Sequence, residues 1–142
     1  MAQAEITETL GVDRDKFFQA VVKYEDYPQF VDGCSRVSVD RSDPSRPKVT
    51  YFVSMMKDIS YTLEHTEDAA TGRVTWSLVS SDFFKKNIGH WEIDSAGPGK
   101  VKVKYVIDIE FKFPVPGLIL NKLVKGSLPS MLRNFEKKAK SL

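Results

Sequence analysis

With 142 residues, 42% of them hydrophobic, the chain carries enough apolar material for one compact domain, and a second is not expected. The net charge is only +2, apolar runs such as Val115 to Leu120 fall far short of the roughly 20 residues that span a bilayer, and "MAQAEITETL" has neither a basic start nor an apolar signal core, so a cytosolic protein is expected. One cysteine, Cys34, excludes an internal disulfide. With only His65 and His90 beside it there are too few soft ligands for structural zinc, and no pattern asks for a metal or cofactor.

In chain order, "EITETLGV" alternates as a first strand. "DRDKFFQAVVKY" then changes period, with Phe17, Val21 and Tyr24 at i, i+4 and i+7 behind Asp13 as N-cap, which predicts a short helix. Pro28 disfavours helical geometry at Tyr27, so a break near Asp26 and a brief restart through Phe30 and Val31 are expected, with Gly33 ending the turn.

From Ser35 to Phe113 strands alternate with turns. "SRVSVDR" leads into the surface loop "SDPSRP", and "KVTYFVSMM" places Val49, Tyr51, Val53 and Met55 on one face. "ISYTLEHT" sets Ile59, Tyr61 and Leu63 against Ser60, Thr62 and Glu64, and "RVTWSLVS" sets Val74, Trp76 and Leu78 against Thr75 and Ser77. "NIGHWEID" puts Trp91 and Ile93 on the Gly89 face. "VKVKYVIDIEFKF" is the longest, with Val101, Val103, Tyr105, Ile107, Ile109, Phe111 and Phe113 on one side and Lys102, Lys104, Asp108, Glu110 and Lys112 on the other. One buried face and one wet face are the pattern of an antiparallel sheet.

The period changes again at the end, where Leu120, Leu123, Val124, Leu128, Met131, Leu132 and Phe135 form an apolar stripe at helical spacing. This helix should lie over the concave face of a curved meander, which must be covered, and Pro129 inside it should introduce a kink. Residues 121–142 carry Lys122, Lys125, Arg133, Lys137, Lys138 and Lys140 against Glu136 alone. That cluster is either the solvated face of the helix, favoured at its C-terminus by the macrodipole, or a surface for an acidic partner or a membrane at Lys137, Lys138 and Lys140; no specific nucleic acid is predicted.

The inward set is heavy in Tyr51, Tyr61, Trp76, Trp91, Tyr105 and Phe111. Large flat rings on a curved sheet pack less densely than branched aliphatics, so these residues either form an ordinary core with tyrosines at its rim or leave a mostly apolar pocket with a few polar points.

The order of strand, helix, short helix, six-strand meander and long C-terminal helix, with "FFQAVVKYEDYPQFVDGCSRVSV", "GRVTWSLVSSDFFKKNIGHWEID" and "SLPSMLRNFEKKAKSL", resembles the START-like superfamily, also called SRPBCC or polyketide cyclase/dehydrase-like. Within it the chain looks similar to the branch of coenzyme Q-binding proteins and ribosome-association toxins, through Tyr27, Pro28 and Phe30, Trp76, Gly89 and Trp91, and Leu128, Pro129 and Met131. A tryptophan-cysteine pair usually follows the first helices in the coenzyme Q-binding branch, whereas "VDGCS" keeps Cys34 alone. The resemblance implies an α+β helix-grip fold: a curved antiparallel sheet of about seven strands wrapped on a long C-terminal helix, with two short helices near the N-terminus. It also implies that Tyr24, Tyr27 and Phe30 close one end of the groove, as a structural cap or as ligand contacts.

Catalytic signatures are scarce. No GxSxG elbow occurs, and "AGPGKV" lacks the spacing of a phosphate-binding loop. His65 is in register with Ile59, Tyr61 and Leu63, so it points inward either as a general base or as a hydrogen-bonded rim residue. "FFKK", residues 83 to 86, reads as a bulged strand end or an adhesive tip. Three functions fit. A carrier would bind a small hydrophobic molecule (lipid, isoprenoid quinone or polyketide-like) without catalysis, through Tyr27, Phe30, Tyr51, Val53, Met55, Tyr61, Leu63, Trp76, Leu78, Trp91, Tyr105, Ile107, Val124 and Leu128. A cyclase or dehydratase would use His65 and Tyr61, and a protein- or ribosome-binding module would use the basic C-terminal helix.

Overall fold

The computed structural model describes residues 2–54, 58–118, 126 and 128–142. Strand β1 (Ala2–Leu10) is followed by helix α1 (Arg14–Val22) and a 3-10 helix (Tyr24–Gln29). Six strands follow: β2 (Cys34–Asp40), β3 (Lys48–Ser54), β4 (Asp58–Asp68), β5 (Arg73–Ser81), β6 (Phe84–Ser95) and β7 (Val101–Phe111). Helix α2 (Leu128–Lys140) closes the described chain. The sheet is antiparallel in the order β1-β7-β6-β5-β4-β3-β2, so β1 returns to pair with the last strand and the other connections join neighbours. This is the helix-grip arrangement that the resemblance implied.

Alternation explains the layers. On the concave face Val49, Leu63, Val74, Ile93, Val101 and Val103 are buried, and α1 and α2 press Phe17, Val21, Leu132, Phe135 and Ala139 onto them. Full burial of each such large side chain contributes on the order of 1.5–3 kcal/mol. The Gly11 amide donates to Glu136 Oε2 at 2.7 Å, fastening the end of β1 to α2.

Several local expectations are corrected. Asp13 occupies the N-cap position of α1 without capping it, and its Oδ1 instead accepts from the Gly99 amide at 2.9 Å. The chain breaks at Lys23 rather than near Asp26, and the 3-10 helix runs through Pro28. A 3-10 turn suits the fixed φ of proline, and one missing amide is a small loss in so short an element. Pro129 falls in the first turn of α2, where its absent N–H would be unpaired in any case; Leu120, Leu123, Val124 and the turn before Pro129 lie outside the described residues, and so does any kink there. Asp108, expected on the wet side of β7, is buried with Oδ2 2.8 Å from Lys86 Nζ. Phe83 and Phe84 are buried against Phe111 and Phe113, and the ladder slips between Phe84 and Lys86, so "FFKK" is a bulged strand end rather than an exposed tip.

Candidate functional site

A cavity of about 150 Å3 lies between the concave face and α2. Strands β3 to β7 add inward side chains at alternate positions: Tyr51 and Val53 from β3, Tyr61, Leu63 and His65 from β4, Trp76 from β5, Asn87 and Trp91 from β6, Tyr105 and Ile107 from β7. Met131 and Phe135 on α2 form its roof, and Tyr27, Val31 and Cys34 close one end.

That end answers why aromatic residues occupy a turn. Tyr24 is wholly buried, its hydroxyl donating to Glu67 Oε2 at 2.7 Å, and Tyr27 donates to the Val21 carbonyl at 2.5 Å. Edge-to-face contacts run from Tyr24 to Tyr27 at 5.7 Å, from Tyr27 to Phe30 at 5.7 Å, and from both Tyr27 and Phe30 to Phe135 at 5.3 and 4.9 Å. The turn is an aromatic plug fastened to the covering helix.

A groove of about 420 Å3 lies outside the plug, lined by the chain from Pro28 to Ser35 and by Ser54. Val31 and Cys34 line both spaces, so these two side chains form the partition between them. Gly33 bends the chain there at φ +80, a conformation that side chains rarely adopt.

The floor of the cavity depends on close approach. The β5–β6 ladder runs only from Arg73↔Glu92 to Trp76↔Gly89, and the Trp76 ring lies across Gly89, where a Cβ would sit 2.3 Å from ring carbon Cζ2. Lying flat, the indole donates from Nε1 to Asn87 Oδ1 at 3.0 Å. Tyr105 packs on Trp76 at 5.5 Å and on Trp91 at 4.6 Å.

The polar groups facing this space are electrically neutral. Burial pushes the Tyr51, Tyr61 and Tyr105 phenols well up and raises the Cys34 thiol. Burial also lowers the His65 imidazole to about 3, and its Nε2 lies 2.8 Å from the Tyr51 hydroxyl. Among the described residues no carboxylate, ammonium or guanidinium lines the cavity, and no group of three His, Cys, Asp or Glu is placed to hold a metal.

A family model described as polyketide cyclase/dehydrase and lipid transport matches residues 10–136. The chain belongs to that family. It is 25% identical over 143 residues to the persistence and stress-resistance toxin PasT of Escherichia coli O6:H1, covering 100% of this chain and 89% of that protein. The ribosome association toxin RatA of Escherichia coli K12 is 24% identical with the same coverage. Among solved structures, a START superfamily protein from Mycobacterium smegmatis superposes with a TM-score of 0.85 at 20% identity, covering 98% of this chain and 97% of that one. The ZhuI aromatase/cyclase of a Streptomyces species does so at 0.86 and 12% identity, covering 98% and 93%. At such identities the superpositions speak for the START fold alone.

Of the residues expected to contact a guest, Tyr27, Tyr51, Val53, Tyr61, Leu63, Trp76, Trp91, Tyr105 and Ile107 line the cavity. Three do not: Phe30 backs the plug, half-buried Leu78 packs against the core beyond the cavity, and Leu128 lies in a separate cleft with Ala4, Ile6 and Pro129. Met55 and Val124 lie outside the described residues. Val31, Cys34, Asn87, Met131 and Phe135 line the cavity although they were not among the expected guest contacts. Asn87 shares the parity of Gly89 and Trp91, so extending that alternation two residues back finds it, and Met131 and Phe135 belong to the apolar stripe of the last helix. Val31 sits in a turn, and Cys34 opens β2 ahead of a slip in the ladder before Arg36, so no periodicity points either of them inward.

The basic tail is partly engaged. Lys138 Nζ lies 3.5 Å from Asp26 and donates to Gln29 at 3.1 Å, and Lys140 Nζ is 3.8 Å from Glu136. No described helix is long and apolar enough to cross a membrane.

Proposed function

We propose that this protein binds a small hydrophobic molecule in the cavity between sheet and α2 and does no chemistry on it. The observation that carries this reading is an interior hollow of about 150 Å3 walled by aromatic and aliphatic side chains and free of charged groups among the described residues. Burial of apolar guest surface there supplies about 25 cal/mol per Å2. The family description, which includes lipid transport, supports it.

A cyclase or dehydratase, the reading favoured by the likeness to an aromatase/cyclase, needs an acid and a base converging on the guest. His65 is poorly suited to that work, because an imidazole lowered to about 3 and tied to Tyr51 is a weak base at neutral pH. A ribosome-binding role, suggested by the name of the RatA relative, would use the basic helix, but Lys138 and Lys140 already have acidic neighbours.

The test is organic extraction of purified protein followed by mass spectrometry, together with a toluene titration read from the indole N–H signals of Trp76 and Trp91. A co-purified apolar molecule, or saturable shifts of those signals, is the expected result. Repeated recovery of nothing, with indole signals indifferent to toluene, would overturn the proposal.

A further inference from the structure

The cavity is apolar in area but one-sided in its polar chemistry. Trp76 Nε1 can only donate, so its bond to Asn87 Oδ1 fixes the amide orientation and leaves the Asn87 NH2 group as the part without a partner among the described residues. Tyr61 and Tyr105 line the same space, and their hydroxyls also donate to no described residue. Tyr51 completes the set through His65, whose Nδ1 is shielded from solvent and has no described partner. A buried lone pair is tolerated better than a buried orphan N–H, so the neutral imidazole carries its proton on Nε2 and donates it to Tyr51 Oη. The Tyr51 proton is then left to point into the cavity.

Resting on the binding function proposed above, we infer that Asn87, Tyr51, Tyr61 and Tyr105 form a neutral donor set for the oxygen of an uncharged carbonyl compound, with Asn87 as the residue that sets specificity. The part of the guest held here is about one ring in size, since a volume of about 150 Å3 is enough to accommodate benzene. Carboxylates are disfavoured: no cation lines the cavity among the described residues, and an anion would lose its hydration without a compensating charge. A longer tail on such a guest would leave past Val31 and Cys34 into the outer groove.

Three probes of nearly equal shape separate the alternatives: acetophenone, α-methylstyrene, in which a methylene replaces the carbonyl oxygen, and benzoate, in which the group is anionic. Binding at pH 7 is followed from the indole N–H signals of Trp76 and Trp91. Water solvates acetophenone better than α-methylstyrene, so a purely apolar cavity would prefer the hydrocarbon. The donor set instead predicts acetophenone tighter by about fivefold, benzoate weakest, and loss of the preference in Asn87→Leu. Because Asn87→Leu also strips Trp76 of its acceptor and can disturb folding, the Tyr61→Phe/Tyr105→Phe double variant, which keeps both rings, provides a second test and should reduce the preference at least threefold. Acetophenone binding no tighter than α-methylstyrene, benzoate binding tightest, or a preference unchanged in every variant that folds would overturn the donor set while leaving cavity binding intact. Failure of all three probes to shift either indole signal would instead overturn the binding reading on which this inference rests.

Discussion

His65 Nε2 lies 2.8 Å from Tyr51 Oη, in an environment that keeps the imidazole neutral down to about pH 3. The unfolded chain protonates the same ring near 6.5. Between these values the unfolded state holds the extra proton, so stability rises with pH across that window and is lost as pH falls through it, by up to about 1.4 kcal/mol per unit. Urea denaturation between pH 7 and pH 4 should reveal this slope in the wild type and a shallower one in His65→Leu. Equal slopes would mean that His65 is not the group responsible.

Gly89 is required by the ring that lies on it. Gly89→Ala places a methyl 2.3 Å from both Trp76 Cζ2 and the Val106 carbonyl, and the backbone oxygen has little freedom to yield. A loss of about 1–3 kcal/mol is expected from such overpacking, with altered tryptophan fluorescence as the ring tilts. Unchanged stability and emission would show that the ring does not lie flat.

Trp76→Ala removes a buried indole and leaves Asn87 Oδ1 without its donor. Complete enclosure would predict about 3–5 kcal/mol, but one side of this ring faces the cavity, so denaturation should give a value near the lower end of that range. A loss at the upper end would argue that the hollow beside the ring is filled.

Phe135 is the contact between covering helix and plug, touching Phe17, Tyr27, Phe30 and Trp91 at centroid distances of 4.9 to 6.2 Å. Phe135→Ala should cost about 3–5 kcal/mol. Hydrogen exchange should speed up in both α2 and the 3-10 helix, because the two share this ring. Faster exchange confined to α2 would mean that the plug stands without it.

Lys137 has no described partner, whereas Lys138 faces Asp26 and Gln29. Exposed ion pairs contribute at most about 1 kcal/mol, so Lys138→Met should lower stability slightly and Lys137→Met not at all, as read from paired denaturation curves. A larger effect at Lys137 would place an unsuspected contact there.

Period-2 alternation in "ISYTLEHT" and "VKVKYVIDIEFKF" determined strand, face and sheet type in the sequence alone, because a residue's parity decides its side of a pleated sheet. The same rule brought Tyr51, Tyr61, Trp76, Trp91 and Tyr105 to one cavity wall. It failed at Leu78, since parity tells which face a side chain takes and not how far along that face a hollow extends; Phe30 follows the 3-10 helix, where no strand parity applies. Asp108 was misjudged for a related reason: alternation assigns a charge to the outer side, but does not tell that the side chain is buried there beside Lys86.

The amino-acid order by itself therefore determined the elements and, for the strands, their faces, which follow from spacing along one strand or helix, while the family came from the likeness of whole segments such as "GRVTWSLVSSDFFKKNIGHWEID" to its members. Only the tertiary structure decided that a hollow remains, that Val31 and Cys34 partition it from the outer groove, and that Trp76 turns the Asn87 amide toward it. Those facts depend on atoms far apart in the chain meeting within a few ångströms, and no periodicity encodes such distances.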